Sequence, residues 1–103
     1  EYRDKVVIVT GASSGIGYEA ALAFARRGAL VVAVARREAL LQQLIEACRP
    51  DSPRSFYRVA DLGEQAAAEG VVAETVARLG RLDVLVNNAA ISKHFSYTHL
   101  TLP

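Results

Sequence analysis

The sequence predicts an α/β fold, a parallel sheet flanked by helices and truncated after about four strands, in the order β-α-β-α-β-α-β. Three observations predict it. Short apolar runs, most of them Val-rich, recur along the chain, each run but the last is followed by a segment of helical period, and Gly or Pro stands at most of the joints.

The elements follow in order. Lys5 to Thr10 is a continuous apolar, β-branched run ending in Gly, as expected for a strand buried on both faces. After a Gly-rich turn, Ile16, Ala20, Ala23 and Phe24 share one face at helical spacing, and Gly28 stands where a C-cap belongs. Leu30 to Ala35 repeats the strand signature. Leu40, Leu41, Leu44, Ile45 and Cys48 then stripe a second helix, stopped by Pro50 and Pro53. Ser55 to Val59 reads as a third strand. Val72, Val76 and Leu79 mark a third helix ended by Gly80, and Leu82 to Asn87 makes a fourth strand. Such alternation implies right-handed crossovers and a parallel sheet. With nothing beyond it, the fourth strand is expected to expose an unpaired edge rich in Val and Leu.

Composition bounds the function. A chain of 103 residues, 51% hydrophobic and 22% charged, has room for one small globular domain. Its net charge of +1, with Arg scattered and no basic block, gives no footprint for nucleic acid or an anionic membrane. Cys48 is the only cysteine, so neither an intrachain disulfide nor a cysteine-rich metal site can form. The longest apolar run, Ala29 to Ala35, is too short to cross a bilayer, and no secretory pattern opens the chain, which points to a cytoplasmic protein. The sequence begins at Glu1 and contains no Met, so the natural start is expected upstream.

The motif that carries chemistry is Thr10-Gly11-Ala12-Ser13-Ser14-Gly15-Ile16-Gly17, set between a predicted strand and a predicted helix. Gly11 permits a tight turn, Gly15 lets the backbone approach a pyrophosphate, and Gly17 allows close packing of helix on strand. The helix N-terminus then faces an anion. The spacing is G-x-x-x-G-x-G and lacks the Lys-Ser/Thr ending of a phosphate-transfer P-loop, which argues against an ATPase or kinase. Roughly 20 residues on, a Rossmann-type fold places the side chain that reads the adenosine ribose. Arg36 and Arg37 stand there. A guanidinium grips a phosphate by two parallel hydrogen bonds, so the pair favours NADP over NAD, with NAD the alternative.

Thr10 to Gly17, Asp61-Leu62 after the third strand and Asn87-Asn88-Ala89-Ala90 after the fourth together resemble the short-chain dehydrogenase/reductase family, over Lys5 to about Ile91. The resemblance implies that Gly11, Ser13, Ser14 and Ile16 line the phosphate path and that Arg36 meets the 2′-phosphate, assisted by Arg37. Asp61 would hydrogen-bond the adenine amino group with Leu62 beside it. Asn88 and Ala89 would pass along the ribose and nicotinamide side, and Asn87 would brace the strand ends. Ala90 departs from the family's usual Gly, and its Cβ restricts positive φ. Ser14 departs from relatives that carry a basic residue there, which leaves phosphate preference to the arginines.

The family performs its chemistry with a Ser, a Tyr and a Lys four residues after that Tyr. Four residues after Tyr2, Tyr18, Tyr57 and Tyr97 stand Val6, Leu22, Asp61 and Thr101, so no catalytic residue is assigned. The resemblance therefore implies an N-terminal, cofactor-binding part of an enzyme that interconverts an alcohol and a carbonyl by hydride transfer, inactive alone. The full-length parent would act on a small-molecule carbonyl or alcohol and is compatible with a homo-oligomer. Residues 1–95 are read as a partial NAD(P)-binding domain. Residues 96–103 resemble the in-frame reading of a transposase end sequence used in sequencing libraries and are read as a foreign tail, so His94, Ser96, Tyr97 and His99 are assigned no function. The rival readings are a non-catalytic dinucleotide-binding module and an inert fragment.

Overall fold

Which residues can be buried on two faces at once decides the layout. In the computed structural model, which describes residues 2–13, 15–61, 65–88 and 100–101, β1 (Val6–Thr10) and β2 (Leu30–Ala35) are buried along their whole length. Between them runs α1 (Gly15–Arg26). Beyond β2 come α2 (Glu38–Cys48), β3 (Phe56–Val59), α3 (Gln65–Leu79), β4 (Val84–Asn87) and a two-residue β5 (Leu100–Thr101).

The sheet order is β3-β2-β1-β4-β5. β1 pairs in parallel with β2, Ile8 opposite Val32, and with β4, Ile8 opposite Leu85. β2 pairs in parallel with β3, Ala33 opposite Tyr57. This is the Rossmann-like α/β layout expected from the alternation of periods. The chain steps outward from β1 to β3, then crosses back to β4 on the other side of β1. The order thus reverses at β1 and β4, where an open α/β sheet forms its ligand crevice.

Alternate residues of the central strands feed two cores. Val7, Val9, Val31, Ala33 and Ala35 pack with Ala21 and Ala25 of α1 and with Leu41, Leu44, Ile45 and Cys48 of α2. Val6, Ile8, Val32 and Val34 pack with Val71 of α3 and with Leu82 on the opposite face. The α2 stripe lies where its period puts it, with Leu40 half-buried at its margin.

Two helix faces differ from expectation. In α1 the buried residues are Gly17, Ala21 and Ala25, while Ala23 is exposed and Ile16 is 77% exposed. The face is turned because small residues bring the helix close to the strand, and closeness outweighs side-chain size. In α3 Val71 and Thr75 are buried and Val76 is 43% exposed. Thr75 tolerates burial because its hydroxyl donates to the Val71 carbonyl at 2.8 Å.

The outer edge of β4 also differs. It is not bare: β5 pairs with it antiparallel, Val84 opposite Thr101 and Leu85 opposite Leu100, so the sheet is mixed and five-stranded. An edge strand presents a row of unpaired N–H and C=O groups, and an extended segment that reaches it gains those bonds. Residues 89–99, 102 and 103, which hold most of the tail read as foreign, lie outside the described residues.

Polar groups at the opposite end of the sheet tie the connections down. Ser52 Oγ donates to the Ala29 carbonyl at 2.6 Å, and Ser55 Oγ accepts from Val31 N–H at 2.8 Å. The two hydroxyls lie 2.8 Å apart. Asp83 Oδ2 accepts from Val6 N–H at 2.8 Å while Arg81 grips both carboxylate oxygens at 2.7 and 2.8 Å. Arg81 is thereby drawn to the β4 entrance, and its partner Asp83 is held below the ordinary carboxylate range, first by that hydrogen bond.

Candidate functional site

The carboxyl ends of β1, β2, β3 and β4 carry the predicted site residues. The turn after β1 is built by Gly11 at φ +63° and Gly15 at φ +57°, a region L side chains rarely adopt. Ala12, fully buried, anchors the turn by donating its N–H to the Val34 carbonyl at 3.2 Å. α1 therefore begins directly over the end of β1.

Gly17 shows how tight that start is. A Cβ placed on it would overlap the Gly11 carbonyl and come within 2.8 Å of Asn88 Nδ2. A Cβ on Gly15, by contrast, would meet nothing within 4 Å. Gly17 is demanded by packing, whereas Gly15 faces open space.

Thr10 joins the two strands that flank the switch point. Its Oγ1 accepts from Asn88 N–H at 2.8 Å and donates to Asn87 Oδ1 at 3.0 Å, with the Val86 carbonyl at 3.3 Å as a second acceptor. The glycine turn and the Asn pair are thus held together by one hydroxyl and one close helix contact.

Arg36 and Arg37 follow β2 and are exposed. Arg37 is the N-cap of α2 and its side chain makes no capping bond, so the first turn of α2 takes no side-chain hydrogen bond from its cap. Among the described residues neither guanidinium joins an ion pair. Glu38, next in sequence, instead accepts from Tyr57 Oη at 2.8 Å. Asp61 is exposed at the end of the β3 connection.

Gly11, Ser13, Gly15, Ile16, Gly17, Arg36, Arg37, Asp61, Asn87 and Asn88 all fall at this one end of the sheet. Within the set, Gly17 packs closely on the Gly11 carbonyl and on the Asn88 side chain, where a Cβ would find no room. Ser14, Leu62, Ala89 and Ala90 lie outside the described residues. The sequence points to Thr10 only as part of the motif, to Tyr57 only as a tyrosine with no Lys four residues on, and not to Glu38. The Thr10 hydroxyl at the end of a fully buried strand was the available signal, whereas the Tyr57–Glu38 bond joins two elements and leaves no local pattern.

Among the described residues no group of three or more His, Cys, Asp or Glu could hold a metal ion, and no helix is long and apolar enough to cross a membrane. Cys48 is buried in the core that α1 and α2 share, and burial pushes its thiol up to about 11.

A family model described as short chain dehydrogenase matches residues 5–102. The chain is 49% identical over 88 residues to 11-beta-hydroxysteroid dehydrogenase A of Sesamum indicum, covering 84% of this chain and 25% of that relative. Among solved structures, L-sorbose reductase from Gluconobacter frateurii, complexed with NADPH and L-sorbose, superposes with a TM-score of 0.80 at 32% identity, covering 89% of this chain and 35% of that one. An NAD+-bound xylitol dehydrogenase superposes with a TM-score of 0.82 at 28% identity, covering 88% of this chain and 35% of that one. The chain thus spans about a quarter to a third of the length of the curated relatives it matches.

Proposed function

This chain belongs to the short chain dehydrogenase family, and on that footing we propose that it is the dinucleotide-binding part of an oxidoreductase that interconverts an alcohol and a carbonyl, with NADP as its cofactor. The observation that carries the reading is the glycine turn opening α1 at the switch between β1 and β4, with Arg36 and Arg37 at the end of the neighbouring β2.

The residues present fit the cofactor. Open space above Gly15 admits a pyrophosphate, and the N-terminus of α1 offers it backbone N–H groups and the positive end of a helix dipole. We assign this cradle to Gly11, Ser13, Gly15 and Gly17, with Ser14 included by its place in the sequence motif, and the exposed Ile16 side chain would give the ligand an apolar wall. Arg36 and Arg37 take the adenosine 2′-phosphate, a charge that the uncapped start of α2 also favours. The adenine is assigned to Asp61, with Leu62 next to it in sequence, and the ribose and nicotinamide side to Asn88, with Ala89 next to it in sequence.

A bound nicotinamide supplies or accepts the hydride. What this chain's own residues do is bind and orient. Thr10 fixes Asn88 to the β1 end, Gly17 lets α1 close on Asn88, and the arginines set the register of the adenosine half, which holds the reactive end in one direction.

Titration calorimetry of the chain with NADP+ and NAD+ tests this. The expected result is binding of both, with NADP+ tighter by about tenfold or more, the value of one charge-assisted phosphate contact. No binding of either overturns the reading. Equal or tighter binding of NAD+ overturns the NADP assignment.

A further inference from the structure

We propose that Tyr57 is a specificity-determining positioning residue, which sequesters the Glu38 carboxylate and so keeps Arg36 and Arg37 available for an adenosine 2′-phosphate. The inference rests on the preceding assignment of that phosphate to the two arginines.

Glu38 follows Arg37 directly and sits in the first turn of α2. A carboxylate next in sequence to Arg37 is a competitor for the guanidiniums and a repulsive charge for an incoming phosphate. It does neither job. Its Oε2 accepts a hydrogen bond from Tyr57 Oη at 2.8 Å, across from α2 to β3.

The phenol is aimed. Gln42, one turn beyond Glu38 on the same helix, donates its Nε2 to Tyr57 Oη at 3.2 Å. With that acceptor position occupied, the single phenolic proton is directed at Glu38. The ring itself is half-buried against the α1 and α2 core, opposite Ala33 of β2, so it cannot follow the carboxylate if the latter turns away. The alternation of β3 sends Tyr57 toward α2, while Arg58 pairs with Glu74 of α3 at 2.9 Å and Phe56 lies 4.1 Å beneath the Arg78 guanidinium. Register on this strand therefore determines which helix Tyr57 serves.

Removing the hydroxyl while keeping the ring frees Glu38 to swing toward Arg36 and Arg37. The carboxylate would then screen the guanidiniums and repel a phosphate dianion, but it would leave a cofactor without the 2′-phosphate unaffected. Specificity, rather than overall binding, is the quantity that moves.

The test uses the whole 103-residue chain, titrated at low ionic strength with adenosine 2′,5′-bisphosphate and with 5′-AMP, which differ only in the 2′-phosphate. In Tyr57→Phe the preference for the bisphosphate is expected to fall about threefold to tenfold with 5′-AMP affinity unchanged. In Tyr57→Phe/Glu38→Gln the preference returns, because the charge that caused the loss is gone. An unchanged preference in Tyr57→Phe, a parallel loss for both ligands, or a loss that persists in the double variant overturns the inference while leaving the arginine assignment intact. If the unaltered chain does not favour the bisphosphate, the 2′-phosphate assignment itself fails, and the role of Tyr57 with it.

Discussion

Gly17 and Asn88 compete for one small volume: a Cβ on the glycine would lie within 2.8 Å of Asn88 Nδ2 while overlapping the Gly11 carbonyl. Two of the three obstructing atoms are backbone, so they cannot rotate away. In Gly17→Ala the start of α1 must shift off β1, and overpacking of this kind costs about 1–3 kcal/mol. The expected outcome is a melting temperature lower by roughly 4–20 °C for a domain of this size, together with loss of NADP+ binding. Gly15→Ala provides the contrast. Its Cβ meets no neighbour, so what it loses comes from a strained positive φ, about 1 kcal/mol.

How far such relationships are legible in sequence depends on whether they are local. β2 lies at Leu30–Ala35, where its two-faced apolar run put it, and the α2 stripe packs as its period implies because large aliphatic residues carry that interface. The packed face of α1 is carried by Gly17, Ala21 and Ala25, the residues a hydrophobicity stripe ranks lowest, so the apparent face was turned toward Ile16 and Ala23. Thr75 is absent from the predicted α3 stripe of Val72, Val76 and Leu79 for a related reason. Its polarity is cancelled by a hydrogen bond to its own helix, invisible to any ranking by residue type. At the site, the glycine spacing and the distance to Arg36 and Arg37 are readable because they sit on consecutive elements. The Tyr57–Glu38 bond spans 19 residues and two elements, and only strand register reveals it.

Thr10 is the hinge between β1 and β4 at the crevice. Thr10→Val keeps the shape but strips the hydroxyl from Asn88 N–H and Asn87 Oδ1, which lose that partner in a part-buried setting. The expected destabilisation is about 1–3 kcal/mol by urea unfolding. Thr10→Ser retains the oxygen and should recover most of it. If Thr10→Val and Thr10→Ser unfold at the same urea concentration, the hydroxyl is not what holds the strand ends together.

Arg36→Ala should separate the two cofactors. Loss of a charge-assisted contact to the 2′-phosphate weakens NADP+ binding by about tenfold to a hundredfold, with NAD+ affinity changed by less than about twofold. Because Arg36 is exposed and joins no ion pair with a described residue, the melting temperature should be preserved. An equal loss for both cofactors in calorimetry would place Arg36 elsewhere than at the 2′ position.

Two groups shape the dependence of stability on pH, from opposite ends. Asp83 is held below the ordinary carboxylate range by the Arg81 hydrogen bond and by Val6 N–H, against the opposing effect of burial. A depressed folded value means its contribution is present above the unfolded carboxylate value, about 3.9, and is lost as pH falls through the folded one. Cys48 is the reverse. Burial raises its thiol from 9.0 to about 11 against the lowering influence of Arg26, so its contribution is complete below 9.0 and is lost as pH rises toward 11. Thermal melts from pH 2.5 to 11 should therefore show Asp83→Asn flattening the acid limb alone and Cys48→Ala flattening the alkaline limb alone. The same burial predicts that the native thiol resists alkylation at pH 8 until denaturant is added. Rapid labelling of the folded chain at that pH would mean that α2 opens from the sheet far more readily than its buried Leu41, Leu44 and Ile45 imply.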